Sequence, residues 1–303
     1  MILFELKKSM KKYIYLLVIV LISCSSSTTT TLDTDQLIED LRFISSDVTE
    51  GRRTGTEGNK IAREYLVTRF EEEGVKPFNG SYTHKFTFNN RRTEEELTGI
   101  NVIAEVTGKS DSMIVITAHY DHLGKRDSLI FNGADDDASG TAALLALANY
   151  FTKEQPNHTL VFAAFDAEEM GLQGARAFVA DSVLLSKVKL NINMDMISKN
   201  DSSQIYAAGT YHYPFTKPIL ESIDTGNLEL LFGHDSPDLG YNDWTFSSDH
   251  GPFHSKEIPF VYFGVEDHEN YHKHTDDFET IPQDFYKASV QLILNAVLAF
   301  DKQ

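Results

Sequence analysis

The feature that most limits what this chain can fold into is its alternation of strand-length apolar runs with helical patterns. Residues 101–106, 113–118, 159–165, 190–194 and 259–265 are largely apolar and rich in β-branched side chains. Nearly continuous apolar character of that length marks strands covered on both faces. Helical spacing appears near Asp33, where Leu37, Ile38, Leu41 and Ile44 recur behind Asp and Thr caps. A second helix is read over 59–73, with Ile61, Tyr65 and Phe70 inward and Gly74 as its stop. Further helices are read over 138–151, 171–180 and 284–300, the last burying Phe285, Leu292, Ile293, Ala296 and Phe300. Strands alternating with helices predict an α/β fold in three layers, a mostly parallel central sheet with helices on both faces. The 303 residues suffice for one large domain, and no internal repeat or linker follows Thr31, so 33–303 is read as a single domain.

The first residues read differently. Lys7, Lys8, Lys11 and Lys12 precede an apolar stretch over 13–22, too short to span a bilayer but suited to a signal peptide. It ends in Leu21-Ile22-Ser23-Cys24, which resembles a bacterial lipobox. Residues 1–23 are therefore expected to be a signal, Cys24 the lipidation site, and the Ser/Thr tract within 24–32 a flexible tether. The expected location is the bacterial cell envelope, outside the cytoplasm, with the membrane reached through that lipid anchor. Cys24 is the only cysteine, so once it is acylated neither a thiol nucleophile nor a cysteine–zinc site is left. A formal charge of −18 argues against nucleic acid as a partner, because phosphate binding needs a basic face.

The chemistry gathers at strand ends. His119-Tyr120-Asp121 follows the run 113–118, Asp166-Ala167-Glu168-Glu169 closes 159–165, and Asp195 ends 190–194. A stretch with His268, His272 and His274 follows 259–265. Open α/β sheets bind ligands outside the carboxyl ends of their strands. Imidazole and carboxylate without thiolate suit zinc best, ahead of cobalt or manganese. Each piece has a plainer reading alone: Glu168-Glu169 as a solvated pair, and Asp135-Asp136-Asp137 as an acidic turn capping the next helix.

In order, however, the segments resemble the di-zinc aminopeptidase family of the bacterial leucyl aminopeptidase type, whose relatives include glutamate carboxypeptidase and glutaminyl cyclase. The matching segments are His119-Tyr120-Asp121, Gly133-Ala134-Asp135-Asp136-Asp137-Ala138-Ser139-Gly140, Glu168-Glu169-Met170-Gly171, Asn193-Met194-Asp195, Ser248-Asp249-His250-Gly251-Pro252-Phe253 and Tyr271-His272. The resemblance implies a peptidase that removes N-terminal amino acids from peptides with two zinc ions per chain. It implies Asp136 as the carboxylate shared by both metals, His119 and Asp195 at one, and Glu169 and His272 at the other. Glu168 is implied as general base, and Asp121 as the acceptor that fixes the His119 tautomer. His272, with Asp276 four residues on, fits the pattern better than His274. Asp249 and His250 are expected in the pocket wall, and Tyr241, Trp244 and Phe246 in loops that shape specificity. His84, His158, His212, His234, His254 and His268 read as surface or packing residues.

Two other enzyme readings share these motifs. The di-metal carboxypeptidase or deacylase reading needs a dimerisation domain before the final His, and the segment between Asp195 and His272 is filled by the last strand and the Ser248-Asp249-His250 motif. A single-zinc glutaminyl cyclase needs a site remodelled against a second metal, whereas the bridging and flanking positions are all present. A binding module without catalysis predicts a missing ligand or base, and none is missing.

Overall fold

The computed structural model describes residues 31–90 and 93–303. The signal, lipobox and Cys24 readings, and the tether through residue 30, lie outside them; Leu32 is already buried. The strands are β1 (Lys76–Pro77), β2 (Thr83–Asn89), β3 (Glu96–Val106), β4 (Met113–His119), β5 (Gly124–Arg126), β6 (Leu129–Phe131), β7 (Thr159–Phe165), β8 (Val188–Met194), β9 (Gln204–Ala208), β10 (Glu229–Phe232) and β11 (Phe260–Gly264). One sheet has the order β1-β3-β7-β4-β8-β11-β9-β10, with β2 also paired to β3, while β5 and β6 form a separate hairpin. Its centre, β7-β4-β8-β11, is parallel. The flanking pairs β3/β7 and β9/β11 are antiparallel. Every residue of β4, β7 and β11 is buried, which is why these strands read as unbroken apolar runs.

The helices are α1 (Thr34–Ile44), α2 (Glu57–Glu72), α3 (Gly140–Lys153), α4 (Gln173–Phe178), α5 (Ser182–Leu185), α6 (Thr216–Leu220), α7 (His250–His254) and α8 (Gln283–Phe300). Alternate residues of a strand face opposite ways. Ile114, Ile116, Leu160 and Phe162 accordingly join one core with Leu41 of α1, Leu66 of α2, Leu147 of α3 and Ile293 of α8. Met113, Val115, Val161 and Ala163 join a second core with Ala175 and Phe178 of α4 and Phe253 of α7. Helices therefore cover both faces, as the alternation predicts. Each fully buried Leu, Ile or Phe in these cores contributes about 1.5–3 kcal/mol relative to exposure.

The α1 pattern holds: Leu37, Ile38, Leu41 and Ile44 are buried, and the Asp33 side chain accepts from the Gln36 N–H at 3.0 Å. The inward face of α2 is rotated from the expected one. Ala62, Leu66 and Phe70 are buried, whereas Ile61 and Tyr65 are only half-buried. Tyr65 has a hydroxyl to satisfy, and it stacks on Phe43 while donating to Asp40 at 2.6 Å.

Candidate metal centre

The parallel centre brings the C-terminal ends of β4, β7, β8 and β11 to one edge, and the ligand-type residues meet there. His119 is the last residue of β4, and Asp195 follows β8. Glu168 and Glu169 lie three and four residues past β7, where Ala167 has φ 60° and turns the chain. Asp136 lies in the turn Ala134–Ser139 before α3, and His272 in the loop after β11.

That acidic turn is held by its own neighbours. Asp276 accepts from the N–H groups of Asp135 (3.0 Å) and Asp136 (3.1 Å). Asp137 accepts from Gly140 N (2.9 Å), His119 N (3.1 Å) and Met196 N (3.3 Å), so its carboxylate is engaged by backbone. Asp135 accepts from Ser198 and lies 2.9 Å from His268 Nε2, which makes His268 a partner of the turn and not a simple packing residue. Gly133 and Gly140 fit because a side chain would not. A Cβ on Gly133 would sit 2.5 Å from His122 Cδ2, and one on Gly140 2.5 Å from Asp137 Oδ1.

Asp136 is left to face both ways. Its Oδ1 lies 3.3 Å from His119 Nε2 and its Oδ2 3.1 Å from His272 Nε2. Asp195 Oδ1 is 3.5 Å from the same His119 nitrogen, and Glu169 Oε1 is 3.7 Å from His272 Nε2. All five expected positions thus converge in two adjoining groups. His274 turns away and meets the edge of Phe131.

One residue of this centre was not picked out from the sequence. His122 is fully buried, with Nδ1 2.9 Å from Glu169 Oε1 and 3.7 Å from Asp136 Oδ1. Among the described residues neither ring nitrogen of His122 has a hydrogen-bond partner, and neither does Glu169 Oε1. Buried polar atoms that crowd together without bonding one another leave a large desolvation cost unmet. A cation set between them would meet it, and in each of two His/Asp/Glu clusters, His119-Asp137-Asp195 and His122-Asp136-Glu169, the donor atoms lie close enough together to hold one. The sequence signal was present as His119-x-x-His122, two imidazoles just beyond a strand.

The electrostatics agree. Burial pushes the Asp136 carboxyl up, but the surrounding imidazoles of His122, His119 and His272 outweigh it and hold the group well below the usual range. Burial pushes His119 down, and the charges of Asp195, Glu168 and Asp136 overcome it to raise the imidazole well above its ordinary value. Burial, with Asp249 and Asp195 nearby, raises Glu168 well above the usual range. The guanidinium of Arg52, fully buried, donates to the carbonyls of Tyr120, Ile44, Asn132 and Gly133 beneath the acidic turn. One guanidinium does not balance so many carboxyls, which is the charge pattern of a site for divalent cations.

Three sequence expectations change. The His119 Nδ1 lies 3.1 Å from the Asp121 main-chain carbonyl, with the Asp121 carboxylate farther off at 3.8 Å. That carboxylate instead accepts the N–H groups of Glu168 (3.0 Å) and Glu169 (3.4 Å), so it shapes the turn that carries both glutamates. Asp249 and His250 are not in the pocket wall. The cavity beside Glu168, about 420 Å³, is lined by Asp195, Tyr241, Trp244, Tyr262 and Tyr271 among others, and those two residues lie behind it. His250 stacks on Tyr262 and its Nε2 sits 2.8 Å from the Trp244 carbonyl; Asp249 is buried, with neither oxygen hydrogen-bonded among the described residues. Phe246 is exposed against His254 and is likewise absent from the wall.

Comparison with known proteins places these residues in context. The sequence pattern of Peptidase family M28 matches residues 101–297. Aminopeptidase YwaD of Bacillus subtilis is 27% identical over 256 residues, covering 79% of this chain and 52% of that protein. Leucine aminopeptidase 2 of Trichophyton rubrum is 32% identical over 173 residues, 54% of this chain and 33% of that protein. The chain thus spans about half or less of the length of these curated relatives. Among solved structures, a zinc aminopeptidase from Bacillus subtilis superimposes with a TM-score of 0.71 at 16% identity, covering 89% of this chain and 95% of that one. A Fimbriiglobus ruber glutaminyl cyclase gives 0.71 at 18% identity over 89% and 96%.

Proposed function

We propose, from the premise that this chain belongs to peptidase family M28, that it is a zinc-dependent aminopeptidase that removes residues from peptide N-termini. The observation that carries this reading is the two-sided Asp136 carboxylate, with Oδ1 toward His119, itself beside Asp195, and Oδ2 toward His272, itself beside Glu169, which His122 also meets. The curated relatives that carry aminopeptidase names support it. Those residues would hold two zinc ions, which supply Lewis acidity and a water of lowered pKa. His122 joins the five ligands expected from sequence, as a further donor on the Glu169 side.

The chain's own groups do the rest. Glu168 borders the cavity beside the centre and belongs to neither ligand cluster, so its carboxylate is free to take a proton from the attacking water and return it to the leaving amine. Asp121 holds the Glu168 and Glu169 N–H groups, which fixes both side chains relative to His119. With its zinc ions bound, the centre would offer a ligand position to the free α-amine of a peptide, which an internal peptide bond does not have. The aromatic walls of Tyr241, Trp244, Tyr262 and Tyr271 present an apolar surface to the first side chain. The lipobox reading adds to this proposal an anchor through Cys24 at the bacterial cell envelope.

The test is zinc content with leucyl-p-nitroanilide hydrolysis, for the wild type beside Glu168→Gln. Expected are two zincs per chain in both proteins and a kcat at least ~10²-fold lower in the variant. Near-normal turnover in Glu168→Gln refutes the base. One zinc, with cyclisation of an N-terminal glutamine peptide and no hydrolysis, replaces the reading by a cyclase.

A further inference from the structure

A second cavity, about 510 Å³, borders the same centre. Glu169, Gly171 and His272 border both, so the two spaces meet at the proposed metal ligands. The walls differ in chemistry. Where the first cavity carries Trp and Tyr, the second carries Arg53 and Arg126 beside His122 and Met170.

Both arginines are exposed, and among the described residues neither has a carboxylate within ion-pair distance, in a protein of formal charge −18. Their placement is structured all the same. The Arg53 side chain runs over Gly124 of β5, where an added Cβ would meet Arg53 Cβ at 2.6 Å. Arg126 lies two residues further along β5, hence on the same face, and its guanidinium stacks 4.8 Å above the Phe131 ring. Neighbouring Lys125 points to the other face and is paired with Glu50. The strand thus spends one cation on an internal pair and turns its arginine toward the cavity.

A peptide that enters N-terminus first sets its first side chain on one side of the scissile bond and its remainder on the other. With the first side chain among the aromatics, the leaving fragment extends into the arginine cavity. Each further residue adds at most about 3.3–3.6 Å, so a C-terminal carboxylate one or two residues beyond the cut stays within a cavity of this size. Guanidinium groups recognise carboxylate by paired, charge-assisted hydrogen bonds. The geometry points to Arg53 and Arg126 as a subsite for a carboxylate on the leaving side of the substrate, so that short peptides with that charge are the favoured class. This rests on the aminopeptidase reading and sharpens its substrate.

The experiment uses the zinc-loaded full chain in detergent and compares Leu-Leu with Leu-Leu-amide, and Leu-Asp-amide with Leu-Asn-amide. For each, kcat/KM is measured, and the calorimetric Kd is measured on the Glu168→Gln protein, where binding is read without turnover. The charged member of at least one pair is expected to be favoured about tenfold, the low end for a hydrogen bond to a charged group. A preference in the first pair identifies the terminal carboxylate, and one confined to the second identifies an acidic side chain. In Arg53→Ala/Arg126→Ala the ratio within the favoured pair is expected to fall close to one. Equal values within both pairs for the wild type, or a ratio unchanged in the double variant, overturn the subsite. Hydrolysis of leucyl-p-nitroanilide alongside such equality leaves the aminopeptidase standing. No hydrolysis with a persisting difference in Kd removes the aminopeptidase and keeps the subsite.

Discussion

His250 is the residue whose expected and observed positions differ most, and the difference has a measurable consequence. In a solvated pocket wall an imidazole would titrate near its ordinary value. Here burial dominates and pushes the His250 pKa down from 6.5 to about 4, against the opposing pull of the Trp244 carbonyl and Asp195. The ring is inaccessible to solvent and lies between Tyr262, Phe260 and the Trp244 carbonyl. A depressed pKa stabilises the fold above pH 6.5 and loses that contribution as pH falls toward 4, because the unfolded chain binds the proton first. At pH 5 the unfolded imidazole is almost fully protonated and the folded one almost fully neutral. Relative to pH 7, that difference draws the equilibrium toward unfolding by about 2 kcal/mol. Urea unfolding of wild type and His250→Gln at pH 7 and pH 5 isolates the term, since every other titrating group is common to both proteins. The wild type is expected to lose about 2 kcal/mol more than the variant between the two pH values. Parallel losses would mean that His250 is solvated, and would return it to the pocket wall.

Two further expectations concern groups that surround the centre. His122→Ala is expected to keep one zinc at wild-type affinity and loosen the other at least about tenfold, an effect that even groups one layer from a metal produce. Competition with a chelator reads both affinities, and two unchanged values exclude His122 as a ligand. Arg52→Met removes the donor to four main-chain carbonyls and the buried positive charge below Asp136 and Asp137. Its cost is expected at about 3–5 kcal/mol in urea unfolding, as for other broken buried ion networks, and a loss under about 1 kcal/mol contradicts that role.

What could be read from the sequence, and what could not, follows from how far each residue's partners lie along the chain. The central strands were legible because burial on both faces leaves an unbroken apolar run, a property of each strand by itself. The convergence of His119, Asp136, Glu169, Asp195 and His272 was legible because each sits at a strand end or in an ordered motif, and the parallel sheet places those ends together. The strands β9 and β10 and the hairpin β5/β6 carry no such signal; they are short and partly exposed. The face of α2 was misjudged because Tyr65 counted as inward by its ring alone, while its hydroxyl depends on Asp40, twenty-five residues away. Asp249 and His250 were misplaced for a related reason: a five-residue helix has no periodicity to show which side is buried.

Arg52 and Arg53 show where such reading stops. They are adjacent and chemically identical, and local pattern gives no ground for treating them differently. Arg52, with φ 50°, turns inward and is covered by carbonyls from α1, the residue after β4 and the loop before the acidic turn. Arg53, one residue on, is exposed above Gly124 and faces the cavity. A buried guanidinium is committed to its partners, whereas an exposed one with no carboxylate within ion-pair distance among the described residues can still exchange water for an incoming anion.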